Sequence, residues 1–352
     1  MTTATATAPT APTPITANDY VRLKRLVKAE GLLESQTWYY VFKTVVALTT
    51  LAAAIAMAVT VSHPLLIIVA AAFMGFASTQ IALLGHDVGH RQAYRGRRTN
   101  TIGRYFFGNV LLGISHSWWN TKHNQHHANP NHVDEDPDIQ FPMIAFTPEQ
   151  VLTRHKVFRP LMAVQAFVFV FFFPLQALNM RVTSVTHLLA GNAKRPLRQG
   201  AFMAVHFIGY AAILFAIGSW PMALVFFLVH QGVFGLYNSS VFATNHKGMP
   251  VITSDTRLDF FREQVLTARD VAGHPVTDFW YGGLNYQIEH HLFPTMPRNR
   301  LRDAQPIVEA FCKGVDVPYH STGLLTSYRE GFAHLHRATA SLRRRSSAAE
   351  AS

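Results

Sequence analysis

Charged residues and cysteine are both scarce in this chain of 352 residues. Only 14% of the residues are Asp, Glu, Lys or Arg, against about 25% in an ordinary soluble domain. Cys312 is the single cysteine, which excludes an internal disulfide and a sulfur-rich metal site. The composition therefore argues against a typical soluble protein.

Sequence motifs of several common classes are also missing. The His-Glu-x-x-His pattern of zinc hydrolases does not occur. Gly282-Gly283 and the other glycines form no Gly-x-Gly-x-x-Gly loop for a dinucleotide. The net charge of +11 comes from basic residues that flank apolar segments, and no nucleic-acid motif accompanies them, so we expect no nucleic-acid partner.

Long apolar stretches are abundant instead, in a chain that is 49% hydrophobic. A transmembrane helix needs about 20 mostly apolar residues. Four stretches qualify, namely residues 45–61, 64–84, 201–217 and 221–243. Only Ser62-His63 separates the first two, and Gly218-Ser219-Trp220 the last two. The sequence therefore predicts an all-α integral membrane protein with four transmembrane helices in two hairpins.

The basic residues predict the orientation of these hairpins. Neither short link contains Lys or Arg, whereas the other connections do, for example Arg22 and Lys24 before the first span and Arg97 and Arg98 after the second. The positive-inside rule places both termini in the cytoplasm, together with the segments that follow each hairpin. We expect a multi-pass protein, in the cell membrane if the source is bacterial, with its basic residues attracted to anionic lipid headgroups.

Two further apolar stretches, residues 101–115 and 161–178, are predicted to be interfacial or re-entrant helices. The first is short and contains Arg104. The second is long enough to cross, but both of its flanks are basic. A crossing there would also place His127 and His246 on opposite faces of the membrane. Since interfacial helices lie in the headgroup region, we expect four crossings and a cytoplasmic helical cap.

Histidines are grouped in four short stretches beside these apolar segments. Three stretches contain residues four positions apart, which share one face of a helix. Neutral imidazole is the commonest metal ligand, and eight histidines exceed the four ligands of one structural zinc. The alternative is a set of ordinary polar loop or core histidines, but the repeated spacing favours more than one metal ion. The four stretches are His86-Asp87-Val88-Gly89-His90, His123-Asn124-Gln125-His126-His127, Asn245-His246 and Gln287-Ile288-Glu289-His290-His291.

The order of these motifs resembles the membrane fatty acid desaturases over about residues 40–325. The surroundings are similar too: Gly85-His86-Asp87, Trp119 four residues before His123, and the segment from Gly282-Gly283 to Phe293-Pro294. Gln287 in place of a first histidine is typical of the branch that places double bonds relative to the carboxyl end. The resemblance implies a centre of two iron ions, dioxygen as co-substrate, and a double bond inserted into an acyl chain.

Carried over residue by residue, the resemblance implies a set of iron ligands: His86, His90, His123, His126, His127, His246, His290 and His291. Gln287 occupies a further ligand position, where it could bind iron, hold a water or orient a neighbour. Asn238 or Asn245 could hold a metal-bound water.

Several other side chains have two readings. Because metal-bound histidines donate their second nitrogen to a carboxylate or carbonyl, Asp87 and Glu289 are candidates for this outer role. The acidic run from Asp134 to Asp138 has the same role or forms a solvated loop. Trp118 and Trp119 either wall an acyl site or anchor the membrane interface. His230 lies about 24 Å along a helix from His246 at 1.5 Å rise, so we expect it to form a hydrogen bond between helices.

The expected substrate is a fatty acyl-CoA or an acyl lipid. His274-Pro275 is followed by Val276-Thr277, unlike the His-Pro-Gly-Gly haem motif of fused cytochrome domains in relatives. We therefore expect electrons from a separate ferredoxin-like or cytochrome partner with its reductase. A hydroxylase or acetylenase with the same boxes is the nearest alternative. A membrane metal transporter is another, although its ligands would line the transmembrane path.

The chain divides into three predicted regions. Residues 1–19 read as a disordered tail rich in Ala, Thr and Pro, residues 20–336 as one desaturase domain, and residues 337–352 as a basic flexible tail.

Overall fold

The computed structural model describes residues 18–344 of the chain. Within that range the fold is mostly helical. Two strands of two residues each, β1 (Asp270–Val271) and β2 (Ser321–Thr322), form a parallel pair with Asp270 opposite Ser321. The helices are α1 (Asp19–Ala29), α2 (Thr37–Thr60), α3 (Pro64–Gly89), α4 (Arg97–Arg104), α5 (His116–Ala128), α6 (Pro148–Thr153), α7 (Arg159–Ala163), α8 (Gln165–Val168), α9 (Gln176–Leu189), α10 (Pro196–Ala216), α11 (Trp220–Phe242), α12 (Phe260–Thr267), α13 (Pro275–Tyr281), α14 (Gln287–Leu292), α15 (Leu301–Gly314) and α16 (Leu324–Ala338).

The two predicted hairpins are present as α2–α3 and α10–α11. Each begins its second helix with proline in the first turn, where the missing N–H costs no hydrogen bond. Helix α3 extends beyond its apolar stretch to Gly89, so that it contains His86. The outer faces carry exposed apolar side chains such as Phe42, Ile208 and Leu228, which suits lipid contact.

Helices α3 and α11 pack against each other along their length. A Cβ at Gly75 would lie 2.8 Å from Cβ of Val233 and 2.9 Å from the carbonyl oxygen of His230. Glycine therefore permits this close approach, as small residues do between membrane helices. His230 joins the helices as expected, with Nε2 3.1 Å from Ser78 Oγ in α3 and Nδ1 2.8 Å from Tyr210 Oη in α10. The close contact sets the position of the segment that follows α11 relative to the end of α3.

Within residues 18–344, five helical segments are long and apolar enough to cross a membrane by length and composition. Four of them are α2, α3, α10 and α11. The fifth, Gln165–Leu189, overlaps the stretch predicted to be interfacial. It is not a uniform helix, since a 3-10 stretch over Phe169–Leu175 containing Pro174 separates α8 from α9. Its Arg181 is buried against the protein, with Nε donating to the carbonyl oxygen of Leu112 at 3.0 Å.

The other predicted interfacial stretch, residues 101–115, is only partly helical. Helix α4 continues into a π-helical segment over Tyr105–Leu111, and the chain then leaves the helix. Ser115 begins α5 by accepting a hydrogen bond from the backbone N–H of Trp118 at 3.2 Å, a normal N-cap. This restart sets the direction of α5, the helix that carries the second histidine motif.

A separate apolar core lies where α1, α12, α14 and α15 meet. It contains Leu23 of α1, Val265 of α12, Leu292 of α14 and Val308 of α15. Tyr20 Oη donates to the carbonyl oxygen of Leu292 at 3.0 Å, which ties the N-terminal helix to α14. This core therefore fixes the short helix α14, which carries the histidine stretch from Gln287 to His291.

The predicted N-terminal tail lies almost wholly outside the described residues, and half of the predicted C-terminal tail does. Helix α1 begins at Asp19, and residues 1–17 are not described. Helix α16 runs to Ala338 and residues 340–344 are also helical, so the described part of the expected C-terminal tail is helical.

Candidate metal centre

The first histidine group lies at the C-terminal end of α3, the end predicted to face the cytoplasm. His86 lies in the last turn of α3, His90 directly follows it, and His123 and His127 lie one turn apart on α5. Nε2 of His123 is 3.1 Å from Nε2 of His86, 2.8 Å from that of His90 and 3.1 Å from that of His127. His290 of α14 joins His86, His90 and His123 with ligand nitrogens within 4.8 Å of one another.

These short contacts are not a set of hydrogen bonds. A neutral imidazole Nε2 either donates one proton or accepts through one lone pair, so Nε2 of His123 cannot bond three other ring nitrogens at once. Ligands at about 2.1 Å from one metal, about 90° apart, have donor atoms about 3 Å from each other. The nitrogens of this group therefore converge as the ligands of a cation do.

The second group consists of His126, His246 and His291, whose ligand nitrogens also lie within 4.8 Å of one another. His126 belongs to α5, His246 follows the end of α11, and His291 belongs to α14. Nε2 of His126 lies 3.2 Å from Nε2 of His246. The two groups are adjacent, because the rings of His127 and His291 stack with centroids 4.2 Å apart.

Buried nitrogen atoms without partners support metal binding at both groups. Both ring nitrogens of His290, Nε2 of His291 and Nδ1 of His127 are buried and lack a hydrogen-bond partner. Leaving such groups unsatisfied is costly. A cation at each group would use the lone pairs of His290 and His291, so the residues fit transition metals, for which imidazole is a good donor.

Outer partners fix the rings of the second group. Nδ1 of His246 donates to the carbonyl oxygen of Thr267 at 3.0 Å, and Nδ1 of His291 to Oε1 of Gln264 at 2.8 Å. Nδ1 of His126 lies 3.0 Å from both carboxylate oxygens of Asp136. Because a carbonyl can only accept, His246 carries its proton on Nδ1, and its Nε2 presents a lone pair to the centre. Among the acidic run, Asp136 is the residue that lies within hydrogen-bond distance of a histidine of the second group.

Electrostatics keeps most of the imidazoles neutral, as metal ligation requires. Burial, and then the neighbouring imidazoles, lower the pKa well below the usual value for His90, His123, His127, His246, His290 and His291. His126 is different. Burial, the largest single effect, opposes its charged form, but the carboxylates of Asp136 and Asp138 together raise the pKa of His126.

Gln287 lies beside the second group with a defined amide direction. Its Oε1 accepts a hydrogen bond from Nδ2 of Asn245 at 2.9 Å, and its Nε2 is 3.0 Å from Nε2 of His246. Nδ2 of Asn245 also donates to the carbonyl oxygen of Leu284 at 3.3 Å, and Oδ1 of Asn245 accepts from the hydroxyl of Thr244 at 3.2 Å. The Leu284 carbonyl can only accept, so it fixes the Asn245 amide, which in turn directs the Gln287 nitrogen toward the centre.

The remaining predicted outer residues differ in position. Oδ1 of Asp87 lies 3.4 Å from Nδ1 of His86. Asn238 lies near Met180, with Nδ2 3.5 Å from Sδ, and lines the adjoining cavity. Glu289 faces away from the histidines: its Oε1 accepts from Tyr319 Oη at 2.9 Å.

Glu289 belongs to a buried carboxyl pair that supports α14. Tyr319 Oη also lies 2.5 Å from Oδ2 of Asp270, and Oδ1 of Asp270 accepts from the backbone N–H of Ile288 at 3.0 Å. Burial raises the pKa of Asp270 to about 6. Burial together with Asp270 raises the pKa of Glu289 well above its usual range, so Glu289 is the protonated member near neutral pH.

One cavity of about 600 Å³ borders both histidine groups. Its walls include His86 and His123 of the first group, His126 and His246 of the second, and Gln287. The remaining lining is mostly apolar and aromatic, including Trp118, Trp119, Phe141, Phe169, Phe172, Phe173 and Met180. The ring of Trp119 stacks on His123 with centroids 4.4 Å apart, and a Cβ at Gly89 would lie 2.1 Å from this indole. Trp118 and Trp119 thus form part of a cavity wall.

Gln264, Thr267 and Arg298 were not identified from the sequence. Gln264 and Thr267 contact histidines of the second group, and Arg298 contacts Asp87, all from segments that contain no histidine motif. Thr267 contributes only its backbone oxygen. Any residue type could supply that oxygen, so no sequence signal marks it.

Comparison with known proteins agrees with this geometry. A sequence model of the family described as "Fatty acid desaturase" matches residues 60–323. An acyl-lipid (9-3)-desaturase of Physcomitrium patens is 33% identical over 90% of this chain and 61% of its own length. The Delta(6)-fatty-acid desaturase fat-3 of Caenorhabditis elegans is 30% identical over 89% of this chain and 72% of its own length.

A Delta(8)-fatty-acid desaturase of Helianthus annuus is 32% identical over 71% of this chain and 57% of its own length. The chain thus spans about three fifths of the length of the relatives from Physcomitrium patens and Helianthus annuus. The family match covers most of the chain and includes every histidine of both groups. The protein belongs to the fatty acid desaturase family.

Proposed function

We propose that this protein is an oxygen-dependent desaturase that introduces a cis double bond into a fatty acyl chain. One observation carries the proposal: two groups of buried, mostly neutral imidazoles border a single apolar cavity of about 600 Å³. Cavities of this size and lining suit elongated apolar ligands. The catalytic unit is proposed to comprise residues 20–336.

The metal centre is proposed to hold two iron ions. His86, His90, His123 and His290, with His127 beside them, would hold one, and His126, His246 and His291 the other. When bound and reduced, the iron pair supplies the power to activate dioxygen and remove hydrogen from an unactivated methylene, which no side chain can do. Gln287, with its amide nitrogen toward the centre, is proposed to act as a hydrogen-bond donor there and not as an oxygen ligand.

The residues of the chain hold and orient the substrate. The aromatic side chains from Phe141 to Phe173 give the cavity an apolar wall, and Trp119 stacks on the ring of His123. Outer partners such as Asp136 and Thr267 keep the ligand rings in place. An acyl chain bound in this cavity has a fixed methylene pair beside the imidazoles, and this position determines where the double bond forms.

The balanced reaction requires an external reductant. Removing two hydrogen atoms from the chain supplies two of the four electrons that reduce dioxygen to two waters. The other two electrons, with two protons, must come from a donor. We propose a ferredoxin-like or cytochrome partner with its reductase, which would approach the centre from the cytoplasm.

The substrate is proposed to be an acyl lipid or an acyl-CoA. Relatives are named as Delta(5), Delta(6) and Delta(8) desaturases and as acyl-lipid desaturases. We therefore propose a double bond positioned relative to the carboxyl end of the chain.

Four membrane crossings, with the centre and both termini in the cytoplasm, are proposed for the topology. The contact of 3.2 Å between His126 and His246 supports this, since three crossings between these residues would separate them by the bilayer thickness. The segment Gln165–Leu189, interrupted at Pro174 and attached through Arg181, is proposed to return to the face from which it enters.

Fatty-acid analysis of an expressing host tests the proposal. A host that supplies an electron donor should accumulate a new cis-unsaturated fatty acid, located by gas chromatography with mass spectrometry. A matched host expressing His291→Ala should not, although the variant inserts into the membrane. Hydroxylated products without new alkenes would identify a hydroxylase, and an unchanged profile with iron and donor present would contradict both activities.

A further inference from the structure

A buried arginine outside the histidine motifs connects to the first histidine group through one carboxylate. Arg298 lies in a short 3-10 turn before α15 and is only 4% exposed. Its Nε is 3.1 Å from Oδ2 of Asp87, and the other oxygen of Asp87 is 3.4 Å from Nδ1 of His86. Asp87 therefore lies between the guanidinium of Arg298 and the imidazole of His86, which belongs to the first histidine group.

The surroundings of Arg298 are built to accommodate it. The one proton of Nε is donated to Tyr39 Oη at 3.2 Å, so the contact with Asp87 is an ion pair. The backbone N–H of Arg298 donates to Tyr40 Oη at 3.2 Å. A Cβ at Gly282, which has a φ of +59°, would lie 2.9 Å from Nη1 of Arg298. At Gly283, with a φ of +84°, a Cβ would lie 2.9 Å from the Arg298 carbonyl oxygen. These positive φ values favour glycine. The absence of a side chain at Gly282 and Gly283 leaves the space that Arg298 occupies.

A second buried connection runs parallel to the first. Oε1 of Gln92 accepts from Tyr40 Oη at 3.1 Å, and its Nε2 donates to the carbonyl oxygen of Pro294 at 2.9 Å. The segment after α14 is therefore already attached to α2 and to the end of α3 without Arg298. The charge of Arg298 is not needed merely to join these elements.

We infer that Arg298 is a positioning residue that orients Asp87 so that His86 presents Nε2 to the metal centre. This inference rests on the proposed metal-dependent function. The guanidinium holds one carboxylate oxygen, which leaves the other facing Nδ1 of His86. An imidazole that donates from Nδ1 has its lone pair on Nε2, and Nε2 of His86 is the atom 3.1 Å from Nε2 of His123.

The two histidine groups are affected differently. The outer partners of His126, His246 and His291 are Asp136, Thr267 and Gln264, and none of these contacts Arg298. Loss of Arg298 should therefore weaken the group containing His86 and leave the other group unchanged. Changes to such outer partners typically lower metal affinity by about 10- to 100-fold.

Co²⁺ titration of the metal-free, detergent-solubilised full chain tests this, with visible absorption as the readout. Wild type should bind two equivalents. Arg298→Gln should bind one equivalent as wild type does and the other about 10- to 100-fold more weakly. Arg262→Gln is the matched control, because Arg262 pairs with Asp19 and Asp259 and contacts no histidine of either group.

The double variant Asp87→Asn/Arg298→Gln separates positioning from simple stabilisation. It removes both charges, so thermal unfolding of its metal-free form should return toward that of wild type, while the weak Co²⁺ site remains weak. Full recovery of both properties would show that the ion pair is only structural and would overturn the inference. Equal Co²⁺ affinity of wild type and Arg298→Gln would overturn it while leaving the metal centre intact. Absence of Co²⁺ binding in wild type would overturn the inference and the proposed centre together.

Discussion

At the scale of single residues, the direction of one amide decides what Gln287 can do. Asn245 holds Oε1 of Gln287, and the carbonyl of Leu284 holds Asn245. An amide nitrogen donates hydrogen bonds but has no lone pair for a metal. The amide direction of Gln287 is therefore that of a hydrogen-bond donor toward the centre, which is the role proposed for it above.

Replacing Asn245 with Ala should release this constraint. We expect the Gln287 amide to rotate, which changes the surroundings of the second group and lowers desaturation by about 10- to 100-fold, as for other outer partners. The visible spectrum of the Co²⁺-loaded variant should shift as well, since the donor near one ion changes. Asn285→Ala is the control, because Asn285 is equally buried but bonds to Val271 and Asp278. An Asn245→Ala spectrum identical to that of wild type would contradict this role.

At the scale of helices, the relative position of α3 and α11 determines whether the histidine groups meet. Helix α3 carries His86 in its last turn and is followed directly by His90, and α11 ends four residues before His246. Gly75 allows their backbones to approach closely. A displacement at this contact is transmitted along two rigid helices to the centre.

Gly75→Ala should destabilise the protein and reduce activity. The new methyl group would meet the His230 carbonyl oxygen at 2.9 Å, and a backbone atom cannot move aside as a side-chain end does. Overpacking of this kind costs about 1–3 kcal/mol, to be measured as a lower midpoint of thermal unfolding in detergent. Gly209→Ala in α10 has no atom within 4 Å of its added Cβ and should leave the midpoint unchanged or slightly raised. Equal midpoints for the two variants would show that the helices are not tightly apposed at Gly75.

At the scale of the whole molecule, the arrangement in the membrane can be measured directly. Single cysteines in a Cys312→Ala background provide sites for a membrane-impermeant thiol reagent. Positions 62 and 219, in the exposed links of the two hairpins, should react only from outside. Positions 149 and 190 flank the Gln165–Leu189 segment and should both react only from the cytoplasm. Labelling of these two from opposite sides would show that the segment crosses the bilayer.

Much of this organisation was predictable from the sequence because it depends on local patterns. The hairpins follow from apolar length and short links. The three histidine stretches with the four-residue spacing lie at helix ends or on helices, as that spacing indicated. The family was correctly identified from the same motifs. The outer partners of the histidines were harder to predict. Asp87 is adjacent to a histidine in sequence, but Gln264 and the Thr267 carbonyl are brought to the centre only by the packing of α12 on α14. Tertiary contacts of this kind leave no periodic signal.

The wide separation of the histidines along the chain has a consequence for biogenesis. His86 and His291 belong to groups that stack on each other, yet synthesis of the later residue follows that of both hairpins. A nascent chain can thus insert its membrane helices before either metal site is complete, and cations can be captured only once α14 has docked. Metal binding then supplies free energy to the last folding step. If the centre holds iron as proposed, an iron-starved cell should therefore accumulate an inserted protein whose histidine-bearing segments are loosened and open to cellular proteases.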